Sequence, residues 1–547
     1  MKVDNAMKEW NIIMYLKSID SLSLFFFLWL LLSVFINGDY SNFFVFVSDI
    51  NLRNILLIFF YYSLSRLFFH HYRIFSYYVT IAIMLIFTLR EGILCVEQIV
   101  NGLSSPVGTM LNPGIVGCFF SIVCSVLFVE INKIQERGWR LFLGLLLCPF
   151  IVIILFTKSR LALLALITSV LCFFSLSTKY SALVKKNIVL IVISLVALFS
   201  VLYYAKKPSA DGRVYMAKIA VMSILHNGVW GSGIDSYSGR FGEEQFKYYS
   251  DCNKNEKVDI SSVVDNDLKG SKYACSPATA FNEFLRLGVE NGVIAMLLSL
   301  IIIIKSIIVL LKNNDALGYG LLSLFIFSLF SYPHCFAIFC LLLSLFIGAA
   351  SSQEMSISED NNQNFILIHN YVDILLLGLM LYSEQPQLKV KSTISNKKDN
   401  ITFMFKYEDY DNVCHQCAEL YDGKHTDLDL LYMYGVSLSM TGEFQKSDFI
   451  LHMGASRCSD PIFWQEIGHN YFRSAKYEDA ENSYLRSFLM VPNRITPLLY
   501  LAQLYYHTGD KEKLDKIVEF SDSFVPKVPS GTTREYQKRI KQFANGE

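Results

Sequence analysis

The sequence predicts an all-α protein: a polytopic helical membrane bundle of about eleven spans, followed by a helical-repeat domain. Three observations predict it. Charged residues make up only 18% of the 547, hydrophobic residues 53%, and mean hydropathy is +0.37, whereas soluble domains carry about a quarter charged residues. The deficit is uneven: residues 1–385 hold long apolar runs, while residues 386–547 are rich in Lys, Glu, Asp and Tyr. Within the second part, small residues and turns recur every 33 or 34 residues. The expected organisation is a transmembrane domain (1–385, with a polar loop at 205–282), a linker (386–401) and a repeat domain (402–547). A formal net charge of zero gives no field to recruit nucleic acid. No small-residue cleavage site follows the first apolar run, so that run reads as a retained anchor, not a signal peptide.

A bilayer span needs roughly 17–25 mostly apolar residues. The runs that meet this are 21–37, 53–70, 73–89, 113–131, 139–156, 160–177, 187–204, 291–311, 316–331, 333–351 and 366–383, the last interrupted by Asn370 and Asp373. Lys and Arg in short loops mark the inside. With the N-terminus inside, thirteen such residues, among them Lys2, Lys8, Lys133, Arg137, Lys185 and Lys312, face the cytoplasm. Only Arg53, Arg90, Lys158 and Arg160 face out. The loop 205–282 then lies outside. The C-terminal domain joins it there if 366–383 spans, and is cytoplasmic otherwise; the outside placement is the expectation.

Seven cysteines in or beside apolar runs (Cys95, Cys118, Cys124, Cys148, Cys172, Cys335, Cys340) read as small hydrophobes. Cys252 and Cys275 flank a polar stretch and would be able to form a disulfide on an oxidising side. Cys414 and Cys417 make a CxxC pair, readable as redox or metal chemistry. With no second CxxC in the chain, two positions on one turn of a repeat helix is the simpler reading.

Arg160 opens an apolar run in Thr157-Lys158-Ser159-Arg160. An ionisable residue there either faces a polar cavity or snorkels to the interface. In the polar loop, Arg213 opens an amphipathic stretch, Gly231-Ser232-Gly233 forms a glycine-rich turn, and Arg240 follows. Beyond the loop comes Asn282-Glu283-Phe284-Leu285-Arg286, leading to Glu290-Asn291-Gly292. On a helix, Glu283, Arg286 and Glu290 share a face, as a functional cluster or as a surface ion-pair ladder. Arginines gathered near one membrane face suit a diphosphate, because the guanidinium fork binds phosphate oxygens in pairs.

Taken in order, these segments resemble the O-antigen ligase superfamily, which also holds O-antigen polymerases and pilin-type O-oligosaccharyltransferases. Glu91 to Gln98 is similar to its Glu…Gln segment. Gly108-Thr-Met-Leu-Asn112-Pro113 resembles its G-x-x-x-N-P element, and Thr157 to Arg160 its T-x-S-R. Arg213…Gly231-Ser-Gly233 resembles its Arg…G-x-G loop, and Asn282 to Gly292 its H-N-x-x-L…E-x-G element. Ser331-Tyr332-Pro333 resembles a late S-Y-P of Bacteroidetes members that carry tetratricopeptide repeats. The resemblance covers roughly residues 80–350. It implies a C-type glycosyltransferase fold and a glycan donor on undecaprenyl diphosphate at the periplasmic face of the bacterial inner membrane. The acceptor would be a lipid, a protein or a growing polymer. Arg160 and Arg213 would stabilise the leaving diphosphate, and Asn282, Arg286, Arg240, Gly231 and Gly233 would help bind it. Direct inverting attack needs neither metal nor cofactor. One departure stands out: the family places His before the Asn matching Asn282, and here the residue is Phe281. Glu283, His226 and His334 are the alternatives for moving a proton, with Glu283 favoured.

Segments near 428–460, 462–494 and 496–526 repeat. Gly435, Gly468 and Ala502 are equivalent, as are Gly442, Ala475 and Gly509 at the turns, and Pro461, Pro492 and Pro526 end units. Residues 403–422 would add a partial first helix. The pattern resembles tetratricopeptide repeats, whose helix pairs stack because one unit cannot bury its own apolar face. Such a surface binds a protein partner or acceptor, or else packs on the membrane domain. A non-catalytic scaffold remains the alternative from another class; a transporter would show inverted repeats or paired broken helices, which this sequence lacks.

Overall fold

A computed structural model describes residues 18–38, 50–177, 207–251, 271–356, 397–421, 427–528 and 530–546, with isolated positions between 186 and 204. Every regular element among them is helical. The chain divides into two compact units: residues 1–207 with 281–384, and residues 208–280 with 385–547. The expected spans 187–204 (almost wholly) and 366–383 (entirely) fall outside the described residues, as does Cys252.

The first unit holds α1 (Ile19–Asn37), α2 (Ile50–His71), α3 (Arg73–Val100), α4 (Pro113–Lys133), α5 (Arg137–Phe156) and α6 (Arg160–Leu176). After the other unit's insertion come α9 (Glu283–Lys312), α10 (Ala316–Ser328) and α11 (Ala337–Ser356). Six of these, α1, α3, α4, α5, α9 and α11, are long and apolar enough to cross a membrane, and α6 and α10 are apolar but shorter. The expected span at 53–70 is helical in α2 but falls outside the six; Asn51, Arg53, Asn54, Arg66, His70 and His71 dilute its apolar content. Large apolar side chains such as Ile74, Phe75, Ile86, Ile93 and Leu145 stand more than 60% exposed. Apolar surface of that extent suits lipid, not water.

Helix α4 is the core, with 83% of its apolar window buried against 17% for α5. Its small residues let neighbours approach, the usual device where lipid removes the hydrophobic drive between helices. A Cβ at Gly117 would stand 2.9 Å from Ser159 Cβ, and Ser121 Oγ lies 3.1 Å from Ser323 Oγ on α10. Phe119 packs edge-on against Phe339, and Phe120 against Phe150. Charge inside this unit is paired: Arg66 reaches Asp20 at 3.3 Å, and Tyr62 and Ser351 donate to the same carboxylate.

The second unit holds α7 (Lys207–Asn227) and α8 (Tyr237–Asp251), and later α12 (Tyr410–Leu420), α13 (Leu428–Met440), α14 (Phe444–Arg457), α15 (Ile462–Arg473), α16 (Tyr477–Met490), α17 (Thr496–Thr508), α18 (Lys511–Ser523) and α19 (Gly531–Asn545). Residues 397–406 are also helical, and Ile401 is buried, so the helical domain begins inside the expected linker. The expected partial helix at 403–422 is two helices broken at Glu408, whose φ is +61°. From α13 onward the helices pair. A Cβ at Gly435 would overlap Leu451 of the partner helix, and one at Gly468 would overlap Tyr484. The turn positions Gly442, Ala475 and Gly509 all adopt positive φ, at +87°, +56° and +75°. Small residues recur there because the left-handed turn that ends each first helix penalises a side chain.

The sequence groups loop 205–282 with the spans, but its residues 208–280 belong to the same compact unit as the helix pairs. Gly239 and Gly242 of α8 are the reason. A Cβ at Gly239 would stand 2.7 Å from the Ser456 carbonyl carbon, and one at Gly242 would stand 2.8 Å from Ser459 Cα. Backbone meets backbone where no side chain fits.

Candidate functional site

Four chain segments of the first unit meet at one end. Helix α4 begins with Asn112 as its cap: Asn112 Oδ1 accepts the Gly114 amide at 2.8 Å, while Nδ2 donates to the Tyr332 hydroxyl at 2.8 Å. The Tyr332 ring packs edge-on against Phe281, centroids 5.3 Å apart. Asn282 caps α9 through the Leu285 amide and donates to the Leu329 carbonyl, both at 2.9 Å. Thr157 and Ser159 lie against Gly117, and Ser159 caps α6 through the Ala162 amide. The loop before Asn112 is held by Glu91, which accepts from the Thr109 amide (2.9 Å) and hydroxyl (2.7 Å). Gln98 accepts the amides of Val107 and Gly108. Thus the G-x-x-x-N-P, T-x-S-R, Asn282–Arg286 and S-Y-P segments are neighbours, although up to 220 residues separate them.

Arg160 is the first residue of α6 and is half-exposed. It stands at the positive end of that helix, where backbone N–H groups and the macrodipole favour an anion.

Glu283 is 1% exposed. One oxygen takes Arg286 Nε and Nη2 at 2.9 Å each, and the other takes the His334 amide at 2.8 Å. Arg286 also lies 3.6 Å from Glu290. The trio is therefore an enclosed network that ties α9 to the 333–335 turn, not a surface ladder. A general base must lie within reach of the substrate proton; Glu283 is 1% exposed and accepts three N–H groups, an arrangement that suits holding Arg286 and the 333–335 turn in place. His334 takes part through its backbone, and its ring lies 3.5 Å from Ser328 Oγ. At the end of the motif, Gly292 has φ +86° and interrupts α9, while Trp29 donates to the Asn291 carbonyl at 2.8 Å. The E-x-G element is thus a helix break that pins α1.

In the second unit, Arg213 is half-exposed on α7, which is linked to α8 by Tyr215–Tyr249 (3.0 Å) and by Lys218 over Tyr248. Gly231 and Gly233 have φ of +73° and +99°, so the turn needs glycine for its shape. Ser236 closes it by donating to the Gly233 carbonyl at 2.5 Å. Arg240 is exposed on α8. His226 is engaged with Glu244 at 2.6 Å.

The other side of α8 docks on the helix pairs. Ser238 accepts the Ser459 amide at 3.1 Å, and Gln245 donates to the carbonyls of Cys275 (3.0 Å) and Met490. Asn493 donates to the carbonyls of Ser271 and Ala274, and Arg494 to Ser276 at 2.9 Å. Arg486 pairs with Glu243 and stacks over Trp464 at 4.0 Å. Sequence reasoning missed this seam. The signal was present as Ser238-Gly239-x-x-Gly242, small residues on one face of a polar helix. Burial pushes the Cys275 thiol up, and the Cys417 thiol, packed with Leu430 and Met433, is pushed up to about 12.

No family model matches this chain, and no curated protein does.

The structure thus brings Asn282, Glu283 and Arg286 together in one unit, with Arg160 on a neighbouring helix start. In the other, Gly231, Gly233 and Arg240 lie in the turn before α8 and at its start, while Arg213 lies on α7, two residues from the Tyr215 that meets Tyr249.

Proposed function

We propose that the chain transfers a glycan from undecaprenyl diphosphate to a lipid or protein acceptor at the periplasmic face of a bacterial inner membrane, in the manner of O-antigen ligases and oligosaccharyltransferases. The observation that carries this reading is the meeting of the motif segments at one end of an apolar helical unit, around Asn112, Tyr332 and Asn282. Residues scattered across a membrane bundle gain a shared neighbourhood when they share a site.

In this reading an acceptor hydroxyl attacks the anomeric carbon and the bond to the diphosphate breaks with inversion. Arg160, at the positive end of α6, neutralises charge that develops on the leaving diphosphate, a role the resemblance also gives to Arg213. Electrostatic stabilisation of this kind is often the largest single source of rate. Glu283 fixes Arg286 and the turn at His334.

The helix pairs are read as tetratricopeptide repeats. Loop residues 208–280 share their compact unit, which supports one side of the membrane for both. The reading counts α9, α10, α11 and the expected apolar run 366–383, which lies outside the described residues, as four spans after the loop. The repeats then lie in the periplasm, beside the acceptor.

The test compares cells carrying the wild-type chain, Arg160→Ala, Arg213→Ala or no chain at equal expression. Surface polysaccharide and glycoprotein are separated by gel and stained for glycan. The expected result is that both variants match the null strain, with carrier-attached glycan lost and the lipid-linked form accumulating. Collapse of a ladder to single units would make the chain a polymerase instead. Wild-type behaviour of both variants, against a deficient null strain, would make it a non-catalytic scaffold.

A further inference from the structure

The phenol of Tyr332, just before the 333–335 turn, is oriented by its hydrogen bond to Asn112. A phenolic proton lies near the ring plane, and the oxygen accepts on the opposite side. The Asn112 side chain cannot rotate to reverse its role, because Oδ1 is committed to the Gly114 amide as the cap of α4. Its Nδ2 must therefore donate, and Tyr332 must accept, at 2.8 Å. The phenolic proton is turned away from Asn112. Among the described residues nothing accepts it, and Tyr332 is half-exposed. The ring is held edge-on by Phe281, the position where the resemblance leads one to expect His.

We infer that Tyr332 presents this proton to a diphosphate oxygen of the lipid-linked donor, as a fixed hydrogen-bond donor. The inference rests on the proposed function. The acceptor oxygen forms its bond to the anomeric carbon and the carbon–oxygen bond to the diphosphate breaks. The bonding electron pair stays on the diphosphate, and the acceptor's proton passes to water. Tyr332 keeps its own proton throughout: it lowers the energy of the departing charge by a hydrogen bond that shortens as that charge grows. A charge-assisted bond of this type is about twice as strong as a neutral one. Phe281 then serves as an apolar wall that holds the phenol, so the missing imidazole leaves no gap to be filled by a base.

The experiment measures binding of undecaprenyl diphosphate to the full-length chain in nanodiscs, with the unfolding temperature as a control. Tyr332→Phe keeps the ring on Phe281 and should weaken binding about 10-fold with little change in unfolding temperature. Asn112→Asp is the sharper probe. A carboxylate still caps α4, but it accepts from the phenol and so draws the proton inward. A merely structural hydrogen bond would survive this change; the inference requires binding to fall as in Tyr332→Phe. Because Asn112→Asp also adds a negative charge, the double variant is needed: adding Tyr332→Phe to Asn112→Asp should weaken binding no further, and a further loss of about 10-fold would overturn the inference.

Wild-type binding by Tyr332→Phe, with Arg160→Ala defective, would overturn the role of Tyr332 and leave the proposed function standing. A wild-type chain that fails to bind undecaprenyl diphosphate would overturn both.

Discussion

Ser238 on α8 and Ser459 after α14 meet hydroxyl to hydroxyl at 3.1 Å, across 221 residues of sequence. The contact sits in the seam where Gly239 and Gly242 allow the loop to lie directly on the backbone at Ser456 to Ser459. The helix pairs therefore hold the segment that carries Arg213 and the Gly231–Gly233 turn.

Gly242→Leu should unseat that segment, because even a Cβ there would stand 2.8 Å from Ser459 Cα. Overpacking of this kind costs about 1–3 kcal/mol. The expected outcome is faster proteolysis of residues 237–251 in the full-length chain. Unchanged proteolysis would mean that the seam yields without separating.

Glu283 can be tested as base or as support. Removing its charge leaves Arg286 enclosed without its nearest partner, and breaking a buried pair costs about 3–5 kcal/mol. Glu283→Ala should therefore lower the unfolding temperature and the yield of folded chain. Glu283→Gln, which can still accept from the His334 amide, should fall between. A Glu283→Gln chain of wild-type stability with no turnover would restore Glu283 as the base.

Ala475 adopts φ +56° where its equivalents are Gly442 and Gly509. The left-handed region costs a side chain roughly 1–2 kcal/mol, partly offset by the greater freedom glycine has in the unfolded chain. Ala475→Gly should stabilise the repeat unit by about 0.5–1 kcal/mol, read as a small rise in unfolding temperature. A fall would show that the methyl group packs usefully.

His469 on α15 accepts or donates at Nδ1 with the Tyr484 hydroxyl (2.8 Å) and lies edge-on to Tyr500 at 4.4 Å. Burial first, and Arg473 second, hold it down to about 4. The folded state thus binds fewer protons than the unfolded state between about pH 6.5 and 4, so His469 contributes stability above that window and loses it as pH falls through it. The loss is on the order of 1.4 kcal/mol per pH unit. Burial raises neighbouring Glu466, which opposes the trend. The comparison is therefore wild type against His469→Gln, by thermal unfolding at pH 7 and 5. The variant should lose less stability on acidification; an equal loss would mean that His469 is protonated at little cost in the fold.

Much of this architecture was legible in residues taken alone. Lipid demands long apolar helices because unpaired backbone polar groups are costly there, so composition marked the spans, and nine of the eleven expected fall on described helices. A 33- to 34-residue recurrence of Gly435, Gly468 and Ala502 marked the helix pairs, because each close crossing needs a small residue. The capping residues Asn112, Ser159 and Asn282 sat in recognisable motifs for a local reason: a helix start leaves N–H groups unpaired within a turn.

Long-range partnership was decided only in three dimensions. That Asn112 orients Tyr332, that Glu283 takes both Arg286 and the His334 amide, and that α8 lies on the repeats and not with the spans all depend on residues 51 to 221 positions apart. No periodicity records such pairs. Burial, shape and the need to satisfy each enclosed polar group select them once the helices pack.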